Sequence, residues 1–411
     1  MSSSCHSVVP RALLAVGALL ALGQASSVLA QQIYFVPAVQ VSAEANTNRR
    51  LDPVDDRRSE GYKARFEGTW KRVTPTGLME IRPQLTYQDY PQFKGTERLE
   101  EGLDLNLEHK TQKGFFSLLG RYQRQDTLNA EFGRAAFDPT LPEDGTDNDP
   151  GSAGSGLVTG GIVRTTYWVE PQFAYSLTRL TDLETDVRLI KVKYDTDAPK
   201  QRVGFQQPSA NFNVVHAISP LLKIGVGPYY SRYKTDDDST KINAYGANID
   251  LRYTSSKISK STLSVNVEKD DIERAGSAKD SVTAWGLQWT GTTKQRVGEL
   301  RYSIGRFLQA SNIGTRTKSD QFRVEYKRKL NPRLEFESAV RGRRERAIQN
   351  SDSGNDRDRV NLEISMRSLL TQSLYVSGGY RFAWQDLESA AGSADNHGIF
   401  IALGYRGLEP Y

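Results

Sequence analysis

Residues 62–71 alternate in character. Tyr62, Ala64, Phe66, Gly68 and Trp70 form one row, and Lys63, Arg65, Glu67, Thr69 and Lys71 form the other. A period of two places such rows on opposite faces of a β-strand. The same alternation returns along the chain. Met79, Ile81, Leu85 and Tyr87 make a row, as do Leu103, Leu105 and Leu107. Tyr167, Val169, Phe173 and Tyr175 follow, then Tyr245, Ala247, Ile249, Leu251 and Tyr253. Phe322, Val324 and Tyr326, then Val360, Leu362, Ile364 and Met366, and last Ile399, Ile401, Leu403 and Tyr405 complete the set.

Two kinds of connection take turns between these segments. Short ones fall near Pro75, Gln112, Arg179, Pro220, Ser256, Thr293, Pro332 and Gln372. Several carry a polar turn former after an apolar strand end, with Pro fixing the turn dihedral. Longer polar ones cover 46–58, 89–97, 127–163, 195–200, 234–241, 270–279, 309–317, 347–356 and 385–395. Nine long and eight short connections join eighteen strands and leave both ends on the short-turn side. The expected fold class is therefore all-β, a single transmembrane antiparallel up-and-down β-barrel of about 18 strands (16–18).

The average composition hides this. Charged residues make up 25% of the chain and the mean hydropathy is −0.56. In a membrane barrel only every second residue meets lipid, so a polar mean and an apolar face coexist. Charges that break the apolar rows, Glu101, Lys191, Arg306 and Arg344, fall near the long-connection ends, where an interface tolerates them. Trp70, Tyr175, Tyr253, Trp289, Tyr326 and Tyr405 fall at the opposite ends and are expected to form a membrane girdle. Pro37, Pro83, Pro171, Pro208 and Pro228 lie inside proposed strands and should each mark a bulge or a strand end. Alternation also fades near Ile190 and Gln207.

The first thirty residues read differently. Arg11 precedes the apolar run Ala12 to Leu22, and Val28-Leu29-Ala30 supplies small residues before Gln31. This is the form of a secretory signal, and the run is shorter than the roughly 18 residues of a membrane-spanning helix. The expected division is 1–30 signal peptide and 31–411 outer-membrane barrel. Cleavage would remove Cys5, the only cysteine, and lower the formal net charge from +5 by the one unit of Arg11. So modest a charge, with 49 acidic residues interleaved, gives no case for a nucleic-acid partner.

The stretch 396–403, Asn-His-Gly-Ile-Phe-Ile-Ala-Leu, resembles the C-terminal assembly signal of outer-membrane proteins. That resemblance implies a bacterial outer-membrane location, a membrane of lipid and lipopolysaccharide, and delivery by the barrel-assembly machinery. The mature chain is also similar to porin-like barrels encoded with exopolysaccharide export systems. The features are a first strand from Tyr34 to Val41 leading to Asn46 and Asn48, then hairpins with Thr-Pro or Ser-Pro turns. Glu44-Ala45 stands where that family has an acidic pair.

Candidate chemistry follows from the inward rows. About 16–18 strands leave room for an aqueous lumen. Arg323, Arg341, Arg343 and Arg381 should cluster in its outer half, with Glu325, Glu335, Glu337 and Glu363 on the same wall and Lys63, Arg65 and Arg82 elsewhere on the inner face. Such charges either neutralise one another or set a field that orients polar solutes. The 127–163 connection is acidic, with Glu131, Asp138, Glu143, Asp144, Asp147 and Asp149 against Arg134. It resembles the third loop that constricts porins. Asp236-Asp237-Asp238 lacks the full spacing of an EF-hand, and solvated acidic turns explain such clusters. No metal site or cofactor is expected. Of His109, His216 and His397, none has a nearby Ser with an evident acidic orienter, so an enzyme is not expected. The expected function is passive passage of polar solutes, with exopolysaccharide secretion of oligosaccharides or a plugged structural barrel as alternatives. Solute, direction and oligomeric state are not legible in the sequence.

Overall fold

The computed structural model describes residues 32–49, 51, 57–92, 98–127, 162–195, 203–256, 259–276, 279–310, 316–348, 356–387 and 392–408. Residues 1–31, where a signal peptide is expected, and the acidic residues Glu131 to Asp149 lie outside them. The strands are β1 (Gln32–Asn46), β2 (Ser59–Thr74), β3 (Gly77–Asp89), β4 (Arg98–Lys110), β5 (Gly114–Asp126) and β6 (Val163–Ser176). Next come β7 (Thr181–Tyr194), β8 (Phe205–Ala217), β9 (Leu222–Thr235), β10 (Thr240–Ser256), β11 (Ser259–Arg274) and β12 (Asp280–Gln295). The last are β13 (Gly298–Ala310), β14 (Arg316–Asn331), β15 (Leu334–Ala347), β16 (Arg357–Leu369), β17 (Leu374–Leu387) and β18 (Gly392–Arg406). Each pairs antiparallel with its chain neighbour, and β1 also pairs with β18, from Ala38 opposite Arg406 to Asn46 opposite Gly398. All eighteen strands close into one ring without an edge. Among the described residues no helix is long and apolar enough to cross a membrane.

The two faces separate by parity. Leu103, Phe173, Val226, Ile249, Phe322 and Ile401 are exposed on one face. The other face must be concave, because its side chains meet across intervening strands. Arg252 of β10 reaches Glu184 of β7 at 2.8 Å, and Arg316 of β14 reaches Asp270 of β11 at 2.6 Å. Strands lie about 4.8 Å apart, so only inward-pointing side chains close a gap of three strands. The exposed apolar face is thus the outer one. A closed ring satisfies its backbone internally and offers hydrocarbon only side chains, which places this barrel in the bacterial outer membrane.

At the short-turn end Tyr175, Tyr253, Trp289 and Tyr405 are exposed, and Trp70 and Tyr326 lie on the same outward rows. A second band faces them. Tyr62 with Tyr87, Tyr122 with Tyr167 and Tyr230 with Tyr245 are ring neighbours at 6.1, 5.4 and 5.4 Å. Tyr62 to Trp70, Tyr167 to Tyr175 and Tyr245 to Tyr253 each span eight residues. Eight residues rise about 26 Å along a strand, or about 20 Å along the barrel axis at a tilt near 40°. Three strands thus mark one hydrocarbon slab between interfacial aromatics.

Two expectations change. The prolines make no bulges. Around Pro83, Pro171, Pro208 and Pro228 one ladder lacks pairs, yet register resumes unshifted, as from Glu67 opposite Gln84 to Trp70 opposite Ile81. Pro37 sits where the β1–β18 ladder ends. A proline removes one donor without needing an extra residue. Register shifts occur instead at 254–256 and 329–331, next to short turns. Several long connections are also shorter than expected, because strands run on past the membrane, whereas the one after β7 is longer, 195–204 rather than 195–200. Leu387 still pairs with Gly392, and only Asp236–Ser239 separates β9 from β10. One short turn is displaced, to 296–297 rather than near Thr293.

Candidate functional site: the barrel interior

Interior chemistry begins with Glu44, on an inward row of β1 and almost fully buried. Its carboxylate accepts from Arg49 at 2.9 Å, pairs with Arg381 of β17 at 3.2 Å and with Lys63 of β2 at 3.4 Å, and accepts the Tyr90 hydroxyl. Arg49 and Tyr90 belong to the first two long connections, and both side chains reach the interior carboxylate of Glu44. The Arg49 guanidinium stacks 3.6 Å over the Tyr90 ring and donates to Gln88. Burial pushes the Arg49 guanidinium below its ordinary pKa, with Glu44 pulling it back. Leu51 is buried too, its carbonyl accepting from Gln385 Nε2 at 2.8 Å. Residues of the first two long connections thus join the interior network at the mouth, although the sequence marks them only as polar loops.

Arginines dominate the inward face of β14 to β16. Arg323 stands opposite Arg341, and Arg343 opposite Arg359. Like charges directly opposite repel unless compensated. Glu345 supplies compensation by bonding both Arg343 and Arg359, and Glu325 holds Arg323. Ser319 accepts from Arg343 at 2.9 Å, and Arg357 donates to Gln385 at 3.0 Å. The other expected acids divide by height. Glu363 pairs with Arg381 at 3.1 Å, whereas Glu335 and Glu337 sit near the short-turn end on Lys327, at 3.2 and 3.0 Å. Arg65 pairs with Glu67 at 2.8 Å and Arg82 with Glu80. All eleven charges expected on the inner wall lie on inward rows, each on the parity opposite the exposed apolar face.

The remaining arc is different in kind. Ile190, Val192, Phe205, Tyr233, Ile242 and Ile272 form a buried cluster with Trp168, Tyr194 and Val282 packed against it. All lie on inward rows at the long-connection ends of β6 to β12. This explains the lost alternation near Ile190 and Gln207: inward positions there are apolar, while outward Lys191 and Lys193 are charged. Below the cluster, Arg188 pairs with Glu170 at 2.5 Å, and buried Arg316 bonds Asp270 at 2.6 Å and Glu268 at 2.8 Å. The interior is thus arginine-rich on β14 to β17, and on β6 to β12 an apolar cluster at the long-connection ends lies above further ion pairs such as Arg188–Glu170 and Arg252–Glu184.

Parity could have revealed Arg357, Arg359 and Glu345, since they alternate with outward residues on strands already assigned. Nothing local marks Arg49 or Tyr90, whose placement depends on how a loop folds. The base of the third long connection closes with Thr127 N–H donating to Ile162 O at 2.9 Å. Asp238 pairs with Lys234 at 2.7 Å and Asp237 accepts from the Ser239 N–H at 3.0 Å, so both carboxylates are used by their own turn. No group of metal-binding side chains occurs among the described residues. His397 does have an acidic neighbour, Asp395 at 3.0 Å, and its other ring nitrogen meets the Tyr380 hydroxyl at 2.6 Å; that hydroxyl is not a serine. His216 contacts Thr181 at 3.0 Å.

No family model and no curated protein matches the sequence. Among solved structures the chain is similar to Pseudomonas aeruginosa OccK5 (OpdH), with TM-score 0.43, 10% identity, and coverage of 91% of this chain and 98% of that one. It is similar to P. aeruginosa OccK2 (OpdF) in complex with glucuronate at TM-score 0.43 and 9% identity, covering 92% and 99%. It is similar to the E. coli ferric-catecholate import receptor Fiu at 0.43 and 8%, covering 90% and 81%. These likenesses are too loose to speak for a solute or a partner, and nothing in them speaks for exopolysaccharide export. The ladders and the inward rows establish what this chain is: a closed eighteen-strand outer-membrane barrel with a charged, ion-paired interior and one apolar cluster at the long-connection ends of β6 to β12.

Proposed function

We propose that the barrel is an outer-membrane channel for passive passage of polar solutes. The inward strip of Arg323, Arg341, Arg343, Arg359 and Arg381 supports this reading most directly. Its five arginines meet four carboxylates, Glu44, Glu325, Glu345 and Glu363, and Glu44 is shared with Arg49 and Lys63, so the strip supplies a net positive field across the lumen. The acidic stretch from Glu131 to Asp149, whose flanks meet at Thr127 and Ile162, is proposed to set the constriction against this strip. The first thirty residues are proposed to be removed on export, leaving Gln31 as the N-terminal residue of the mature chain, which intact mass measures.

Planar-bilayer recording on the purified full-length barrel tests the function. Steady single-channel steps are expected. R341A/R343A should move the reversal potential in a salt gradient toward cation preference. Absence of conductance at any voltage would leave a plugged structural barrel, and an unmoved reversal potential would remove the strip from the conduction path. Block by short anionic oligosaccharides would narrow the solute class to sugars.

A further inference from the structure

The outward face of β7 to β10 carries Lys191, Lys193, Arg232, Lys234 and Lys241 and no carboxylate. All five lie in the third of the strands next to the long connections. Four positions run in register across these strands: Lys191 is opposite Gln206, Gln206 opposite Lys234, and Lys234 opposite Lys241. Elsewhere on the outer face, cations near the long connections are mostly matched, Lys318 of β14 being an exception among the described residues. Arg306 pairs with Asp320 at 2.6 Å, and Arg344 and Arg346 pair with Asp358 at 3.1 and 3.0 Å. Lys269 is held by Asp271 at 3.4 Å, and the neighbouring Glu273 by Lys279. On β7 to β10 one acid, Asp238 of the turn, serves both Lys234 and Lys241, at 2.7 and 4.0 Å. Lys191 and Lys193 have no ion-pair partner among the described residues.

Two facing lysines on a sheet repel each other. Here they sit just above Tyr230 and Tyr245, whose rings mark the membrane boundary. That height is the headgroup layer of the outer leaflet, and the face spans three strand spacings, about 14 Å. We propose that this face is a docking site for a phosphorylated glycolipid of the outer leaflet, its acyl chains lying along Val226, Ile249 and Leu251 and its phosphates meeting Lys191, Lys234 and Lys241. The charge is complementary and the acyl surface is continuous with the headgroup surface; Lys191 and Lys193 have no ion-pair partner among the described residues, and Glu273, which faces Lys241 from β11, is itself held by Lys279. A lysine or arginine beside an anionic headgroup strengthens binding about fivefold.

The test uses the full-length barrel in zwitterionic detergent, titrated with diphosphorylated lipid A and followed by native mass spectrometry. Saturable binding is expected, with dephosphorylated lipid A bound far more weakly. K191Q/K234Q/K241Q should weaken binding on the order of a hundredfold. R72Q/R328Q, on outward rows at the opposite end, should leave it unchanged. Heat-modified gel migration checks that each variant is folded. Equal binding by the triple variant, equal binding of the dephosphorylated lipid, or equal loss in the control would overturn the proposal. So would a wild-type dimer that the triple variant splits, since a second copy would then occupy the face.

Discussion

Replacing Glu44 by Gln removes the one negative charge on which Arg49, Lys63 and Arg381 converge. The shape is nearly kept, so the change isolates the charge. Each hydrogen bond to an ionised group contributes about 1.5–3 kcal/mol. Three such contacts at 2.9, 3.2 and 3.4 Å set an upper bound near 9 kcal/mol, and only the first two are aligned hydrogen bonds. Gln still accepts one of them. The net loss should be about 3–4 kcal/mol, in the range found when one partner of a buried ion pair is removed. The assay is urea unfolding of the barrel refolded into zwitterionic vesicles, read by tryptophan fluorescence. The E44Q/K63M double variant should lose at least about 1 kcal/mol less than the two single losses added together, because K63M removes a cation left stranded by E44Q. A loss below about 1 kcal/mol for E44Q, or strict additivity in the cycle, would mean that water rather than Glu44 satisfies these cations.

Arg316→Met should cost about 3–5 kcal/mol, because Glu268 and Asp270 would share a buried site without their cation; adding E268Q should recover part of it in the same unfolding assay. Gly227→Ala should cost about 3 kcal/mol, since a Cβ there would lie 1.7 Å from the Phe212 carbonyl oxygen of the facing strand; an unchanged urea midpoint would refute the close approach. Leu105→Arg, on an outward row midway along β4, should cost about 2–4 kcal/mol in vesicles; the same change at Lys193, already charged and near the rim, should cost almost nothing. If both cost alike, the membrane slab drawn from the tyrosines is misplaced.

Strand existence, order and facing were legible because period-two patterning survives wherever one face must meet hydrocarbon. Leu103, Leu105 and Leu107 alternate cleanly for that reason. The pattern failed where both faces broke the rule, as at Ile190 and Val192, which point inward yet are apolar. It also misjudged the prolines, since Pro83 and Pro171 face lipid and interrupt one ladder without displacing it. Inward charges could be named from parity, but not paired. Arg316 meets Glu268 across two intervening strands, and no spacing in the sequence encodes that distance. Arg49 and Tyr90 were invisible because loop residues carry no period.

β1 pairs with β2 along its whole length but with β18 only from Ala38 to Asn46. The seam is thus the shortest join that β1 makes, and it unites segments about 350 residues apart, as where Asn396 donates to Asn46. The ring cannot shut until its final strand arrives, so assembly must hold two raw margins apart from other chains until then. Because Gln32 and Arg406 lie on the same rim, a peptide tether joining them, with new ends cut into any other short turn, would move that last-closing joint elsewhere around the circle.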